Sequence, residues 1–527
     1  MHFLSSDGFS SPRGDLDLGR RVAAARAALE RRLSARVNPD GAVRDAPQSR
    51  VFESALMLRL LRLEEVYPEA QARIVRYLET ERRAKQLGLF DAALVRAVLA
   101  APADPPELKE LDSCFSGSGH FATRRKRMMF RAVVALMSGA RFDGEFREAD
   151  FIPRDEYQLW VRLEVIALKI LYATHLDRRE WIKKEDVAVL TEALRKGTSR
   201  KQTVLRQLLI LFALRSIPEQ ERAVRLGVER LVALQGRDGG FPFILGMEIF
   251  CTATAGLALA SAGRDRNRST LASIADYLAG QQQPDGGWAY AEGVDQTDVD
   301  DTSYCLELLS SMGAQRYAEP SARAAAYLLA IQRQDGGFPS FARGADSEIA
   351  MTAGAMMALA SAALAPAEIL HRGADYILER QKSDGTFERS WSLSETSEIY
   401  RAMVAMRRLQ VEPASALSAR IDGAVNRSRR YLERAQNEDG GWGHVPGTAS
   451  DVISTSYALI ALSHIGGRVA LERGLLHLVS HQQAHGGFVS VPDQVGPRPI
   501  PYDVPVLADI FALLALNHGL AALARSS

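Results

Sequence analysis

Cysteine is scarce. The chain has three in 527 residues, Cys114, Cys251 and Cys305, too scattered for a disulfide framework or a zinc site. A reduced, cytoplasmic protein is the plain expectation. Net charge is also nearly absent: 65 Lys and Arg against 64 Asp and Glu leave +1. That balance gives no electrostatic case for nucleic acid. The longest strongly apolar run, near residues 208–214, is far short of the roughly 20 residues of a membrane span. The first residues, Met1-His2-Phe3 followed by Ser, Gly and Asp, lack the apolar core of a signal peptide. No transmembrane segment is expected. The length allows about two to four domains.

What the chain does have is a repeat. Gln, three residues, Gly, one residue and an aromatic recur six times: Gln235, Gly239, Phe241; Gln282, Gly286, Trp288; Gln332, Gly336, Phe338; Gln381, Gly385, Phe387; Gln436, Gly440, Trp442; and Gln482, Gly486, Phe488. A fixed period of this length marks stacked supersecondary units. In each unit a helix runs into the Gln, and an Asp-Gly-Gly or similar turn stops it, with Gly taking the left-handed conformation. After the aromatic comes a loop, then a second helix that starts at a Thr or Ser, as at Thr302, Thr352 and Thr455. Two helices in each of six repeats predict about twelve helices in two concentric layers, an all-α (α/α)6 barrel over residues 221–527.

Aligning the repeats on that Thr isolates one departure. Thr302 follows Asp298-Val299-Asp300-Asp301, Thr352 follows Glu348-Ile349-Ala350-Met351, and Thr455 follows Val452-Ile453-Ser454. Small or apolar residues stand elsewhere in place of Asp300 and Asp301. One acid in a helix's first turn is favoured by the macrodipole; three in one repeat ask for another reason. Crowded, desolvated carboxylates have raised pKa values. An acid kept protonated near neutrality is a strong Brønsted acid. The start of an inner barrel helix would aim it into the barrel mouth.

Residues 1–220 lack the clear repeat but read as helical, and are expected to form a second, smaller all-α domain. Asn38-Pro39-Asp40-Gly41 with Val51-Phe52-Glu53-Ser54 resembles one decayed unit. Ser116-Gly117-Ser118-Gly119-His120 precedes Thr123 and Arg124-Arg125-Lys126-Arg127. A Gly/Ser loop before a helix with basic residues in its first turn can cradle a diphosphate. It is not a P-loop, because the Gly-x-x-x-x-Gly-Lys spacing is absent. A solvated basic face is the alternative.

The Gln-x-x-x-Gly-x-aromatic repeats together with Asp-x-Asp-Asp resemble the class II terpene cyclases, a group that includes squalene-hopene cyclases and bacterial copalyl diphosphate synthases. Residues 225–527 carry the resemblance through their motifs, and 1–220 through size, order and helicity. It implies a βγ architecture, with the active site between two α-barrels. It implies that Asp300 protonates a terminal alkene while Asp298 and Asp301 tune and orient it. Carbocations need aromatic faces and a dry pocket. Trp288, Tyr290, Tyr304, Trp391, Tyr400 and Tyr502 are the aromatic candidates, and Arg124, Arg125 and Lys126 are the candidates for the diphosphate. Ser392 stands where related bacterial enzymes often carry His after Trp391.

The main expectation is cyclisation of geranylgeranyl diphosphate to a bicyclic, labdane-type (copalyl-type) diphosphate. The alternatives are farnesyl diphosphate giving a drimane-like product, and squalene or a prenylated aromatic without diphosphate. The diphosphate should be retained, because the Asp-Asp-x-x-Asp motif of class I chemistry fails at Tyr304. Mg2+ is implied by the resemblance, with Asp143, Glu145, Glu148 and Asp150 as weak ligand candidates. The expected partners are a prenyl diphosphate and a second copy of the chain in a homodimer. Protein prenyltransferase chemistry is disfavoured, because Cys305 has no accompanying Asp/Cys/His zinc set.

Overall fold

The computed structural model describes residues 12–84, 87–99, 123–139, 146–153, 158–195, 203–313, 315–341 and 346–525. Helix α1 (Pro12–Ala35) comes first. Eight helices follow: α2 (Val51–Leu63), α3 (Pro68–Ala84), α4 (Leu89–Leu99), α5 (Thr123–Ser138), α6 (Leu159–His175), α7 (Lys184–Arg195), α8 (Val204–Leu214) and α9 (Glu221–Val232). Then come α10 (Glu248–Gly263), α11 (Arg268–Gly280), α12 (Val299–Ser311), α13 (Ala318–Ile331), α14 (Ile349–Ala362), α15 (Ala367–Arg380), α16 (Glu395–Arg408), α17 (Ala416–Ala435), α18 (Val452–Ile465), α19 (Arg468–Ser480) and α20 (Val506–Arg525).

Hydrophobic pattern sorts the last eleven into two layers. Helix α14 is apolar on every side and buries each residue from Ile349 to Leu359. Helix α15 buries only the stripe Gly373, Ala374, Tyr376 and Ile377. A helix apolar all round belongs inside, and a one-sided helix belongs outside. Helices α10, α12, α14, α16, α18 and α20 form the inner wall. Each packs on the next, and α20 packs back on α10 to close the ring. By length and composition α20 could cross a membrane. The sequence expectation missed it, yet it is a buried stave of this ring.

The repeat is a staple between layers. The Gln282 side-chain amide donates to Gly286 O (2.8 Å) and to Pro320 O on α13 (2.9 Å). Gln332 reaches Ile369 on α15, and Gln436 reaches Ala470 on α19. Gly286 sits at φ +92°, and a Cβ there would lie 2.7 Å from Arg323 O, so only Gly fits. The aromatic's N–H then donates to the Thr that starts the inner helix: Trp288 to Thr302, Phe338 to Thr352 and Trp442 to Thr455.

The same staples move the expected boundary at residue 220. Gln482 reaches Ala25 on α1, and Leu18, Val22, Ala25, Leu29 and Leu33 lie in the toroid's core. Helix α1 is therefore the sixth outer helix. Gln235 instead reaches Ala70 on α3, and Phe241 N–H donates to Ser54 on α2. The first repeat belongs to the other unit. The toroid's missing staple is the decayed segment: a Cβ on Gly41 would lie 2.1 Å from Ser273 O on α11, and Val43 N–H donates to Thr252 on α10 (2.8 Å). The chain thus leaves the toroid after residue 43 and returns after 241. At the crossing, strands β1 (Ser49–Arg50) and β2 (Phe241–Pro242) pair antiparallel. Spacing marked each staple, but the partner of each Gln is non-local, and sequence order assigned the first repeat and α1 to the wrong ring. In the second unit α2, α4, α5, α6 and α8 also pack in a closed cycle.

Candidate active site

The inner helices α10, α12 and α14 begin at the toroid end that faces the second unit. A cavity of about 360 Å3 lies there. Helices α5, α6 and α8 wall it from one side, and the starts of α10, α12 and α14 from the other. Its surface is mostly apolar: Met129, Leu163, Leu209, Phe243, Phe250, Phe341, Met351 and Trp391.

The acids stand at its toroid wall. Asp298 caps α12, accepting the Asp301 N–H at 2.8 Å. Asp451 caps α18 in the same way through Ser454 N–H (2.7 Å), so the first acid is a shared scaffold device. Asp300 and Asp301 are what distinguish this repeat. Burial pushes the Asp298 carboxyl up to about 7, against the opposing hydrogen bonds from Asp301. Burial, with Asp298 beside it, pushes Asp301 well above the usual range. Both carboxyls are therefore biased toward the protonated form. The Oδ1 of Asp301 is buried and has no partner. Asp300 is the most open of the three, with its side chain 19% exposed. Arg401 of α16 clasps it from Nη1 (2.6 Å) and Nη2 (3.2 Å). Arg401 also donates to Tyr304 Oη (2.5 Å) and stacks 5.0 Å from that ring.

The opposite wall is basic. Arg125 and Lys126 on α5, Arg206 on α8 and Arg498 on the segment after α19 all line the cavity. Arg125 pairs with Glu164 (2.5 Å) and Arg498 with Glu348 (3.1 Å). The Nε of Arg206 is buried without a partner. Burial, then the charges of Arg498 and Arg125, pulls Lys126 down to about 7. Four basic groups against the two carboxylates of Glu164 and Glu348 make this wall suited to an anion.

Of the residues singled out by sequence, Asp298, Asp300, Asp301, Tyr290, Trp391, Tyr502, Arg125 and Lys126 meet at the cavity. Three aromatics do not line it. Trp288 is fully buried behind the wall, with Nε1 bonded to Leu278 O (2.7 Å). Tyr400 stacks on Tyr457 inside the toroid. Tyr304 holds Arg401. Each faces the barrel's packing because staple and inner-wall positions serve the scaffold first. The Arg124 side chain, the loop 116–120, Asp143 and Glu145 lie outside the described residues. Arg401, Arg206 and Arg498 escaped sequence reading, since each is a lone cation in ordinary helix or loop context. A base nearly two turns into the otherwise inner-wall pattern of α16 was the only signal for Arg401.

A Mg2+ site does not emerge from the described residues. Glu148 pairs with Lys183 (3.7 Å), and Asp150 caps its own turn by accepting Arg147 N–H (2.8 Å). Glu164 and Glu348 are engaged by arginines. Among the described residues no three His, Cys, Asp or Glu side chains converge as metal ligands. No step below passes through a metal.

A helical toroid with the buried acids Asp298 and Asp301 beside Asp300 in an apolar, aromatic-lined cavity defines a class II, protonation-initiated terpene cyclase. The Prenyltransferase alpha-alpha toroid domain matches residues 198–338 and 295–490, and the chain belongs to that family. It is 41% identical over 533 residues to a drimenyl diphosphate synthase of Streptantibioticus cattleyicolor, covering 99% of this chain and 98% of the relative. A drimenyl diphosphate synthase of Streptomyces showdoensis is also 41% identical, over 515 residues and 95% of each chain. The solved ent-copalyl diphosphate synthase of Streptomyces platensis shares the fold, with a TM-score of 0.58 at 19% identity, covering 96% of this chain and 99% of that one. These relatives correct the expected substrate. Full-length similarity is to synthases of a drimane diphosphate, so the geranylgeranyl, labdane-forming expectation is withdrawn.

Proposed function

We propose that the protein cyclises farnesyl diphosphate to drimenyl diphosphate. The observation that carries this is the cavity's polarity: the Asp298–Asp301 acids on one wall, four basic side chains with only two carboxylates among them on the other, and apolar and aromatic surface between. The diphosphate is held by Arg125, Lys126, Arg206 and Arg498, and the terminal isoprene reaches the acids. Asp300 adds a proton to the terminal double bond. Two ring closures follow, each consuming one double bond. Loss of a proton from the bicyclic cation restores one double bond, so the product is an isomer of the substrate with its diphosphate intact. Arg401 stabilises the carboxylate that Asp300 becomes. The Asp298–Asp301 pair supplies the proton that recharges it. Tyr290, Phe250, Trp391 and Tyr502 offer ring faces to the cations.

The test is incubation with C15, C20 and C30 substrates. Farnesyl diphosphate should give a bicyclic product released by phosphatase, and Asp300→Asn should lose at least about 1,000-fold in kcat. No conversion of any substrate would sink the reading. The unpartnered Oδ1 of Asp301 favours a second reading, in which Asp301 meets the alkene itself. Asp300→Asn keeping more than about a tenth of kcat, with Asp301→Asn inactive, decides for that alternative.

A further inference from the structure

Residues 494–502 form a hairpin across the toroid mouth. Gly496 N–H donates to Ile500 O (2.8 Å), Ile500 N–H to Pro497 O (2.8 Å) and Tyr502 N–H to Gln494 O (2.9 Å). The hairpin carries Arg498 and Tyr502 into the cavity. On one side it rests on the Trp391 loop. Val495 N–H donates to Trp391 O (3.1 Å), and the buried Asp493 accepts from Ser392 Oγ (2.8 Å) and Ser394 N–H (3.0 Å).

On the other side lies the segment by which the chain leaves the toroid. Gln48 N–H donates to Asp503 O (2.9 Å), and Val506 N–H donates to Asp45 Oδ2 (2.7 Å). Arg50, at the start of α2, reaches furthest. Its Nη1 donates to Gly496 O (2.7 Å) and Pro501 O (3.0 Å), with Ile500 O at 3.4 Å. Its Nη2 and Nε donate to the two oxygens of Glu53, the first at 2.6 Å. Glu53 is fully buried on α2 and fixes the guanidinium's direction. The group also lies 4.4 Å from the Phe243 ring centre, and Phe243 packs on Tyr502 at 5.3 Å. Arg50 itself is not part of the cavity lining. Only a planar group with five donors can serve a carboxylate and several carbonyls at once.

We infer that Arg50 is a positioning residue that bolts the 494–502 hairpin of the toroid to the second unit, fixing Arg498 and Tyr502 at the substrate. The inference rests on the proposed reading for one point, that Arg498 meets the diphosphate. A misplacement of about 1 Å in a substrate-holding group is enough to cost binding and rate.

The test uses full-length Arg50→Ala, Arg50→Lys, Arg498→Ala and the double Arg50→Ala/Arg498→Ala, with two readouts. The first is amide hydrogen exchange. In Arg50→Ala the amides of Gly496, Ile500 and Tyr502 should exchange about 10-fold faster or more, while the core of α12 is unchanged. The second is steady-state kinetics with farnesyl diphosphate. KM should rise about 10-fold with a smaller fall in kcat, and Arg50→Lys should be intermediate. The double variant should fall well short of the product of the two single effects, because both act through one hairpin. Unchanged exchange in Arg50→Ala, or multiplying effects in the double variant, would overturn the inference. Should Arg50→Ala fail to fold, Arg50→Lys is read by the same two measures. A wild-type KM in Arg498→Ala would sink the diphosphate assignment instead, with exchange still deciding for or against Arg50.

Discussion

At the scale of single residues, the chemistry turns on how one short segment distributes protons. Burial raises the pKa of both Asp298 and Asp301, so they favour the protonated form, while Asp300 faces Arg401. Replacing Arg401 by Ala should lower kcat by about 100-fold or more with a smaller change in KM, and Lys should restore little, since it cannot clasp both oxygens. Steady-state kinetics checks this. The pH dependence has a definite sign. Asp298 titrates near 7 in the folded protein against 3.8 in the reference state, so the native state holds a proton that the unfolded chain releases. Its contribution to stability is therefore greatest below about pH 4 and declines as pH climbs toward 7. His464 and His518, buried with pKa values lowered to about 4 and about 3, act in the opposite direction. Urea unfolding of wild type and Asp298→Asn at pH 5 and pH 8 separates the two: the variant should gain relative stability at pH 8. The kcat of wild type should fall above about pH 7 as the pair loses its proton.

At the scale of elements, the Gln staple makes a toroid from helices that share little else. Each Gln amide joins its own turn to the next outer helix, and the last one, Gln482, joins the end of the ring to α1. Gln482→Ala should cost about 1–3 kcal/mol, leaving two carbonyls unpaired. Leu29→Ala on α1 should cost about 2–5 kcal/mol, because Leu29 is fully buried in the toroid core. Both are measurable by denaturant unfolding. Trp288→Phe should lower Tm through the lost bond to Leu278 O and leave KM unchanged, since the ring does not reach the cavity. The staples were legible in the sequence because they are local: Gln, Gly and aromatic within seven residues. Where each staple attaches was not, because Gln235 and Ala70, or Gln482 and Ala25, meet only across the folded ring.

At the scale of the whole molecule, two barrels share one chain that crosses between them twice. The crossing strands pair at Ser49–Pro242 and Arg50–Phe241, and the cavity draws its acids from one barrel and most of its cations from the other. The toroid is split in sequence, with the whole second unit inserted between residues 43 and 241. Unfolding should therefore occur in one calorimetric transition, with van't Hoff and calorimetric enthalpies in agreement. Two separated transitions would count against this coupling. As the proposed substrate, farnesyl diphosphate should show at least about 10-fold higher kcat/KM than geranylgeranyl diphosphate in direct competition.

By itself the sequence determined the helical layers, the six staples and the Asp298–Asp301 segment. These follow from periodicity, turn chemistry and the spacing of charges, all set within a few neighbouring residues. Tertiary structure decided which helix closes the ring, which of the aromatics face the cavity, and which lone arginines converge there. Arg50, Arg206, Arg401 and Arg498 are far apart in the chain and unremarkable in their local context. Their meaning comes from desolvation and from partners brought together by folding, because a charge acquires a function only when its surroundings fix what it must neutralise.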